Sequence, residues 1–470
     1  MKKTLSNIIY SSAAQLLSII VPLITAPYIS RVLRPANLGI YSYIASVSEV
    51  FAVIGSIGLL NYGIREVAYV KEDKKKRSNI FFEITIIKCI LLLITFSLYY
   101  LFMHDKIYGQ YSLVQFSWFL GYFLDVIWFY NAMEDFKTVA IRSCVIKIIN
   151  IVLIFALVKS PSDLWKYIAL LGVSQIIGVL VCYPSLVKMI EWPSLKDLRF
   201  KKHIPATLKI AFPQMVSYIY YQMDKIMLEA MLHNTSIIAF YDQADRIVKL
   251  PVNIILAVAA VMLPKSSSFF ANDDKEGLSK SIAITVRYTL LMTIPMTIGL
   301  ATVASTFVPW FFGNDYKMVA PIIMALCPII IARGLSSISN TQYLIPTQNT
   351  RYLTYSSVFS AIVNVIVNFL TIPVFGVFGA VLGTIVAEFS VTIIQYYYMT
   401  KEIKLDKFVF STIKYICFSS IAVIPAIVMT NLCEPKFYIT IIQVVITVVL
   451  YFVLLLISKD DCLNLLYKKN

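Results

Sequence analysis

Charge is scarce in this chain, and histidine scarcer still. Asp, Glu, Lys and Arg make up only 14% of its 470 residues, and there are three histidines, His104, His203 and His233, all near predicted loops. Soluble domains carry about 25% charged residues, so water does not surround this chain on all sides. Its seven cysteines are isolated. Without a Cys-x-x-Cys or a Cys/His cluster, neither a disulfide framework nor a zinc site is signalled. Catalytic signatures are missing as well. There is no Gly-x-x-x-x-Gly-Lys-Ser/Thr loop, no Gly-x-Ser-x-Gly elbow and no His-Glu-x-x-His. No polar stretch is long enough to house a nucleotide-driven motor. Any work the protein does must draw on an ion gradient, the membrane potential or the gradient of its own cargo, with H+ or Na+ as candidate coupling ions and no other cofactor.

What is present is apolar: 59% of residues, with a mean hydropathy of +0.77. Runs of about 20 apolar residues, each long enough to span a bilayer, recur from end to end. They cover 5–30, 37–60, 79–103, 110–133, 138–158, 164–187, 209–232, 236–263, 281–305, 318–340, 352–372, 376–399, 408–430 and 437–457. This predicts an all-α polytopic membrane protein of about fourteen helices. Met1-Lys2-Lys3 and the run behind it imitate a signal peptide, but the run is too long for one. It reads as a first span that stays in place.

Lys and Arg in the connections set the orientation. Along the chain, 28 of them fall on one side and seven (Arg31, Arg34, Lys106, Lys159, Lys166, Lys317, Lys436) on the other. The expectation is a multi-pass protein of the bacterial cytoplasmic membrane with both termini in the cytoplasm. The net charge of +15 is then a topology signal facing anionic lipid, not a nucleic-acid footprint. The outer connections are short. Residues 191–208, with Trp192, Pro193 and Pro205, read as a cytoplasmic linker between an N-lobe (1–190) and a C-lobe (209–400). Residues 401–470 add two helices and a tail.

The lobes repeat weakly. Aligning Tyr41 with Tyr241 sets Ser42 opposite Asp242, Ser46 opposite Arg246, and Glu49 opposite Lys249. Six spans per lobe make the repeats parallel, and a cargo site between such halves is the expectation. In the eighth run, Asp242, Asp245, Arg246 and Lys249 share one helix face. Each costs about 2.5–3.5 kcal/mol or more at the bilayer centre, so that face must meet protein or water. Two readings stand side by side: self-pairing at i,i+4, or a lined pathway. The seventh run places Gln214, Tyr218, Tyr221, Lys225 and Glu229 at helical spacing, with Gln222 and Asp224 beside them. Asp125 and Asn131 lie in the fourth run, and Arg31 and Arg34 close the first. Glu83, Lys88, Lys147, Glu388 and Lys414 read as packing or edge charges.

Leu33-Arg34-Pro35-Ala36-Asn37-Leu38-Gly39-Ile40-Tyr41 after a long first span resembles the start of the Wzx-type polysaccharide-repeat flippases. These belong to the multidrug/oligosaccharidyl-lipid/polysaccharide exporter superfamily. So do three later stretches: Trp128 to Asp135 (Trp-Phe-Tyr-Asn-Ala-Met-Glu-Asp), Val261-Met262-Leu263-Pro264-Lys265-Ser266, and Ile372 to Ala380 (Ile-Pro-Val-Phe-Gly-Val-Phe-Gly-Ala). The resemblance covers nearly the whole chain. It implies two six-helix lobes around a cavity and a cargo of undecaprenyl-pyrophosphate carrying an oligosaccharide, for O-antigen, capsule or exopolysaccharide. It implies alternating access, with a polysaccharide polymerase and a chain-length regulator as partners. Arg31, Arg34, Lys225, Arg246 and Lys249 would receive the phosphates. Glu49, Asp125, Asp224, Asp242 and Asp245 would hold those cations or a coupling ion, with Asn131, Tyr218 and Gln222 as polar lining. Lipid-linked peptidoglycan precursor is a further cargo of the same kind. The alternatives are a cation-coupled multidrug exporter of the same fold and an intramembrane sugar-chain polymerase or ligase. The second would need a large outer loop that this chain lacks.

Overall fold

The computed structural model describes residues 2–106, 108–403 and 409–460, and no β-strand occurs among them. The chain forms two compact units, Met1–Ile226 and Met227–Asn470. The first holds α1 (Lys2–Tyr69), α2 (Lys74–Met103), α3 (Phe116–Leu124), α4 (Ile127–Ala132), α5 (Phe136–Leu157), α6 (Leu164–Leu180), α7 (Tyr183–Met189) and most of α8 (His203–Leu232). In the second follow α9 (Thr235–Ala271), α10 (Lys275–Phe311), α11 (Val319–Leu326), α12 (Ile329–Ile338), α13 (Arg351–Phe375), α14 (Val377–Thr400), α15 (Val409–Ala422), α16 (Ile424–Leu432) and α17 (Phe437–Ile457). Side-chain caps start several of them. Asp73, Asp135, Asn234 and Asp274 accept from the backbone N–H of Lys76, Thr138, Ser236 and Gly277.

Among the described residues, twelve helical stretches are long and apolar enough to cross a membrane. The seventh apolar run of the sequence lies in α8. The first two runs share α1, and here the structure corrects the reading. Instead of a connecting loop, Arg34 alone leaves helical geometry, at φ 61° and ψ 166°. Pro35 explains it: proline lacks an N–H and pushes the residue before it out of the helical region. A non-glycine residue at positive φ costs about 1–3 kcal/mol. Bonds on both sides of the kink hold it. Tyr28 donates to the Val158 carbonyl at 2.6 Å, and Asn37 to that of Pro161 at 2.8 Å. Other apolar runs are broken where the sequence pattern runs through: at Asp125–Val126, at Val181–Cys182, at Cys327–Pro328 and at Val423. Residues Ser339–Leu344 form a π-helical turn.

The core of the first unit gathers Phe81, Ile84, Trp128, Phe129 and Tyr130. Phe81 stacks on Trp128 with centroids 5.7 Å apart. Gly63 makes room for them, since a Cβ there would stand 2.7 Å from the Trp128 ring. In the second unit, α10, α14, α15 and α17 bury Leu290, Leu291, Met399, Tyr415 and Tyr451, and the Tyr451 hydroxyl donates to the Leu291 carbonyl at 2.9 Å.

A buried clasp fixes the root of α8. Glu83 is 1% exposed and His203 0%. His203 Nε2 lies 2.6 Å from Glu83 Oε2, and its Nδ1 3.0 Å from the Tyr62 hydroxyl. Lys202 Nζ reaches the same carboxylate oxygen at 3.1 Å, and the Arg199 N–H donates to the other. Of the two readings open for Glu83, packing or edge charge, the structure selects packing, and His203, placed in the linker by the sequence, opens a helix in the interior. A carboxylate so enclosed joins α1, α2 and α8 only while its donors are present. Replacing Glu83 with Ala strands them, and breaking a buried pair costs about 3–5 kcal/mol. Glu83→Ala should lower the thermal midpoint of the detergent-solubilised protein markedly, while Lys202→Ala, at the half-exposed end, shifts it little. Equal midpoints for Glu83→Ala and the parent protein would refute the clasp.

Candidate functional site

In the first unit the site is built around the break between α3 and α4. Asp125 adopts extended geometry, at φ −63° and ψ 125°, inside an otherwise helical apolar run. Unwinding frees backbone carbonyls that lipid cannot satisfy. Side chains of α2 and α7 take them up. Lys88, 1% exposed, donates to the Asp125 carbonyl at 2.6 Å, and the Tyr183 hydroxyl to that of Leu124 at 3.2 Å. Cys89 Sγ lies 3.8 Å from the Phe123 carbonyl. The backbone satisfied, the Asp125 carboxylate turns to Arg142 of α5, with Nη2 3.3 Å from Oδ1. The same nitrogen reaches Gln175 Oε1 at 3.3 Å, while Arg142 Nε is buried with no acceptor among the described residues.

Near this pair stand Glu49 of α1 and the part of α8 that belongs to the unit. Gln222 donates to Glu49 Oε2 at 2.7 Å. Glu49, Asp125, Tyr218 and Arg142 all lie near Tyr122 of α3. The structure thus gathers Glu49, Asp125, Tyr218 and Gln222, four residues singled out in the sequence. It adds Tyr122 and Arg142, which were not, and Lys88, which the sequence reads as a packing or edge charge and which packs here. Asn131 is half-buried on α4. Asp224 is buried and Lys225 partly so on α8, while the side chain of Gln214 lies outside the described residues. Arg31 and Arg34 stand exposed at the α1 kink. From Arg34 to Glu49 is about 20 Å along the helix axis at 1.5 Å per residue, so the kink arginines do not join the cluster.

In the second unit the α9 stripe is self-paired. Asp242, 4% exposed at its side chain, holds Arg246 through Nη2 at 3.0 Å and Nε at 3.1 Å. Lys249 donates to Asp245. Yet the stripe is not sealed: the Arg246 side chain is 51% exposed and that of Lys249 32%. Behind it, Arg333 of α12 and Glu388 of α14 form a buried pair at 2.6 Å. Both units therefore present cations already held by carboxylates, next to helix breaks or exposed helix faces. Such groups can exchange an internal carboxylate for an external anion. Among the described residues no His, Cys, Asp and Glu cluster is arranged to hold a metal.

The polysaccharide biosynthesis protein family matches residues 4–270. A putative O-antigen transporter of Shigella dysenteriae is 23% identical over 401 residues, 82% of this chain and 96% of that one. The fold is shared with the lipid II flippase MurJ in an inward closed conformation, at a TM-score of 0.72 and 17% identity over 97% and 100% of the two chains. It is shared also with an inward-facing multidrug resistance MATE family transporter of the MOP superfamily, at 0.66 and 15% over 83% and 97%.

Asp125 and Arg142 form a pair whose removal from either side leaves an unmatched charge. Asp125→Asn and Arg142→Gln should each destabilise the protein, and the double variant should recover part of the loss. The coupling expected is about 0.5–3 kcal/mol, measured as thermal or denaturant midpoints of the four proteins. Strict additivity would dismiss the pair.

Proposed function

Because the chain belongs to the polysaccharide biosynthesis protein family, we propose that it is a flippase for lipid-linked oligosaccharides. The cargo is an undecaprenyl-pyrophosphate bearing a sugar repeat unit, moved by alternating access from the cytoplasmic to the outer leaflet for surface polysaccharide assembly. The protein is a transporter, not an enzyme. The observation that carries the reading is the likeness to a putative O-antigen transporter over 82% of this chain and 96% of that protein. The bias of Lys and Arg supports both termini on the cytoplasmic side, and a polymerase and chain-length regulator would act on the delivered product.

The chemistry supports the same reading. A pyrophosphate is costly to take through hydrocarbon, and guanidinium groups offset that cost with bidentate, charge-assisted bonds. Arg246 is the best placed in the second unit, being paired with Asp242 and half-exposed. Asp242 holds it when cargo is absent. Glu49, Asp125, Asp224 and Asp245 are the acids available to a coupling H+ or Na+. The polyprenyl tail needs no polar site and can remain among lipid.

Reconstituted vesicles carrying a lipid-linked oligosaccharide test this directly. Arg246→Ala should lose translocation while remaining folded in the membrane. Arg246→Lys should retain part of it, less if bidentate contact matters. Wild-type translocation by Arg246→Ala would remove the α9 stripe from the pathway. A deletion strain that exports its glycan normally but becomes drug-sensitive would replace the proposal with a multidrug exporter.

A further inference from the structure

Beneath Trp192 the first unit contains a polar pocket of about 240 Å3 that no step above uses. Its floor is the first turns of α2, and its wall is the segment that follows α7. The wall is held in place. The Glu191 N–H donates to Ser78 Oγ at 2.9 Å, and the Arg77 guanidinium reaches the Met189 carbonyl at 2.9 and 3.1 Å. Trp192 is 87% exposed and leans on Phe82, with centroids 5.1 Å apart. Most of a large aromatic surface is thus left open above the pocket. Asn79 Oδ1, in its lining, is buried and accepts no hydrogen bond among the described residues.

The charges around it cancel. Lys75 is 3.1 Å from Asp197, and Lys74 is 3.3 Å from Glu191. Two lysines and two carboxylates leave the pocket without net charge, so it favours neither a phosphate nor an ammonium. A neutral polyol needs no net charge. Its hydroxyls can donate to Asn79 Oδ1 and to the outer oxygens of Glu191 and Asp197, and accept from Lys75. Its C–H face can cover the indole, a contact that a phosphate cannot make. A volume below the ~300–1,000 Å3 of a drug-sized site suits one ring, not a chain.

We propose that this pocket is a subsite for a single pyranose, with Trp192 as its platform. It rests on the flippase reading for why sugar meets this face: under the proposed topology it is the side on which cargo is loaded. There it would hold one sugar of the repeat unit while the pyrophosphate enters the helices.

The test uses the full chain in nanodiscs and free monosaccharides as probes: glucose, galactose, mannose, rhamnose, N-acetylglucosamine and N-acetylgalactosamine. Saturation-transfer NMR should show at least one of them bound. Trp192→Ala should weaken that binding roughly tenfold, the size expected on losing one aromatic contact, and Trp192→Phe should keep most of it. Asn79→Leu supplies a second variant, expected to weaken binding with the ring intact. Three results would overturn the subsite: no sugar of the panel bound, unchanged binding in Trp192→Ala, or glycerophosphoethanolamine bound in place of sugar. Translocation by the parent protein is measured separately. Translocation without monosaccharide binding sinks the subsite alone, and binding without translocation sinks the flippase reading alone.

Discussion

A carbonyl oxygen cannot be left bare among apolar side chains, and this rule shapes the first unit. Where α3 unwinds at Asp125, three successive carbonyls lose their helical donors, and α2 and α7 supply replacements from Lys88, Cys89 and Tyr183. Each unsatisfied group would cost several kcal/mol in such surroundings. The break therefore persists only because a lysine is buried beside it. That lysine is committed to the backbone, so the Asp125 carboxylate needs another cation, and Arg142 meets it. An interruption in one helix thus dictates the positions of charges on two others.

The second unit reaches a similar end without unwinding α9. Its two acids each precede a cation by one turn along a continuous helix, so each cation has a partner on the preceding turn. The buried Arg333–Glu388 pair repeats the logic between two helices. The two arrangements differ in how readily they let go. Asp125 and Arg142 are both largely enclosed, whereas half of the Arg246 side chain is exposed. Exposed pairs contribute little to stability, about 0–1 kcal/mol. Opening one to meet an anion costs correspondingly little.

The apolar runs were legible in the sequence because twenty consecutive apolar residues have few other fates. Their interruptions were not. Asp125 sits in a run whose composition stays apolar on both sides, and a period count cannot register two residues that leave the helix. Pro35 did announce the α1 kink, but proline does not say whether a loop or a single residue follows. Arg142, early in the fifth apolar run, falls among the 28 basic residues of the cytoplasmic side, which hides its membrane-depth partner. Its partner was still discoverable: Asp125 and Arg142 lie equally far from the turn at Met133–Glu134, so antiparallel helices set them face to face. His203 was assigned to a loop because the charges around it read as solvent-exposed. Only the fold reveals that Glu83, 120 residues earlier, encloses it.

Neutralised cations also bear on how a carrier can turn over. A ligand shifts a conformational equilibrium only by its differential affinity for the two states. An arginine permanently free would bind a phosphate tightly in every state and release it poorly. An arginine held by a neighbouring carboxylate binds the phosphate less tightly, by the strength of the bond given up. The Asp242–Arg246 pair, one member buried and the other half-exposed, is of this kind. Under the proposed function, Asp242 would supply what release requires: a partner waiting when the phosphate leaves. Pairing each cation with a carboxylate meets that requirement, and a purely basic site would bind its anion at the expense of letting it go.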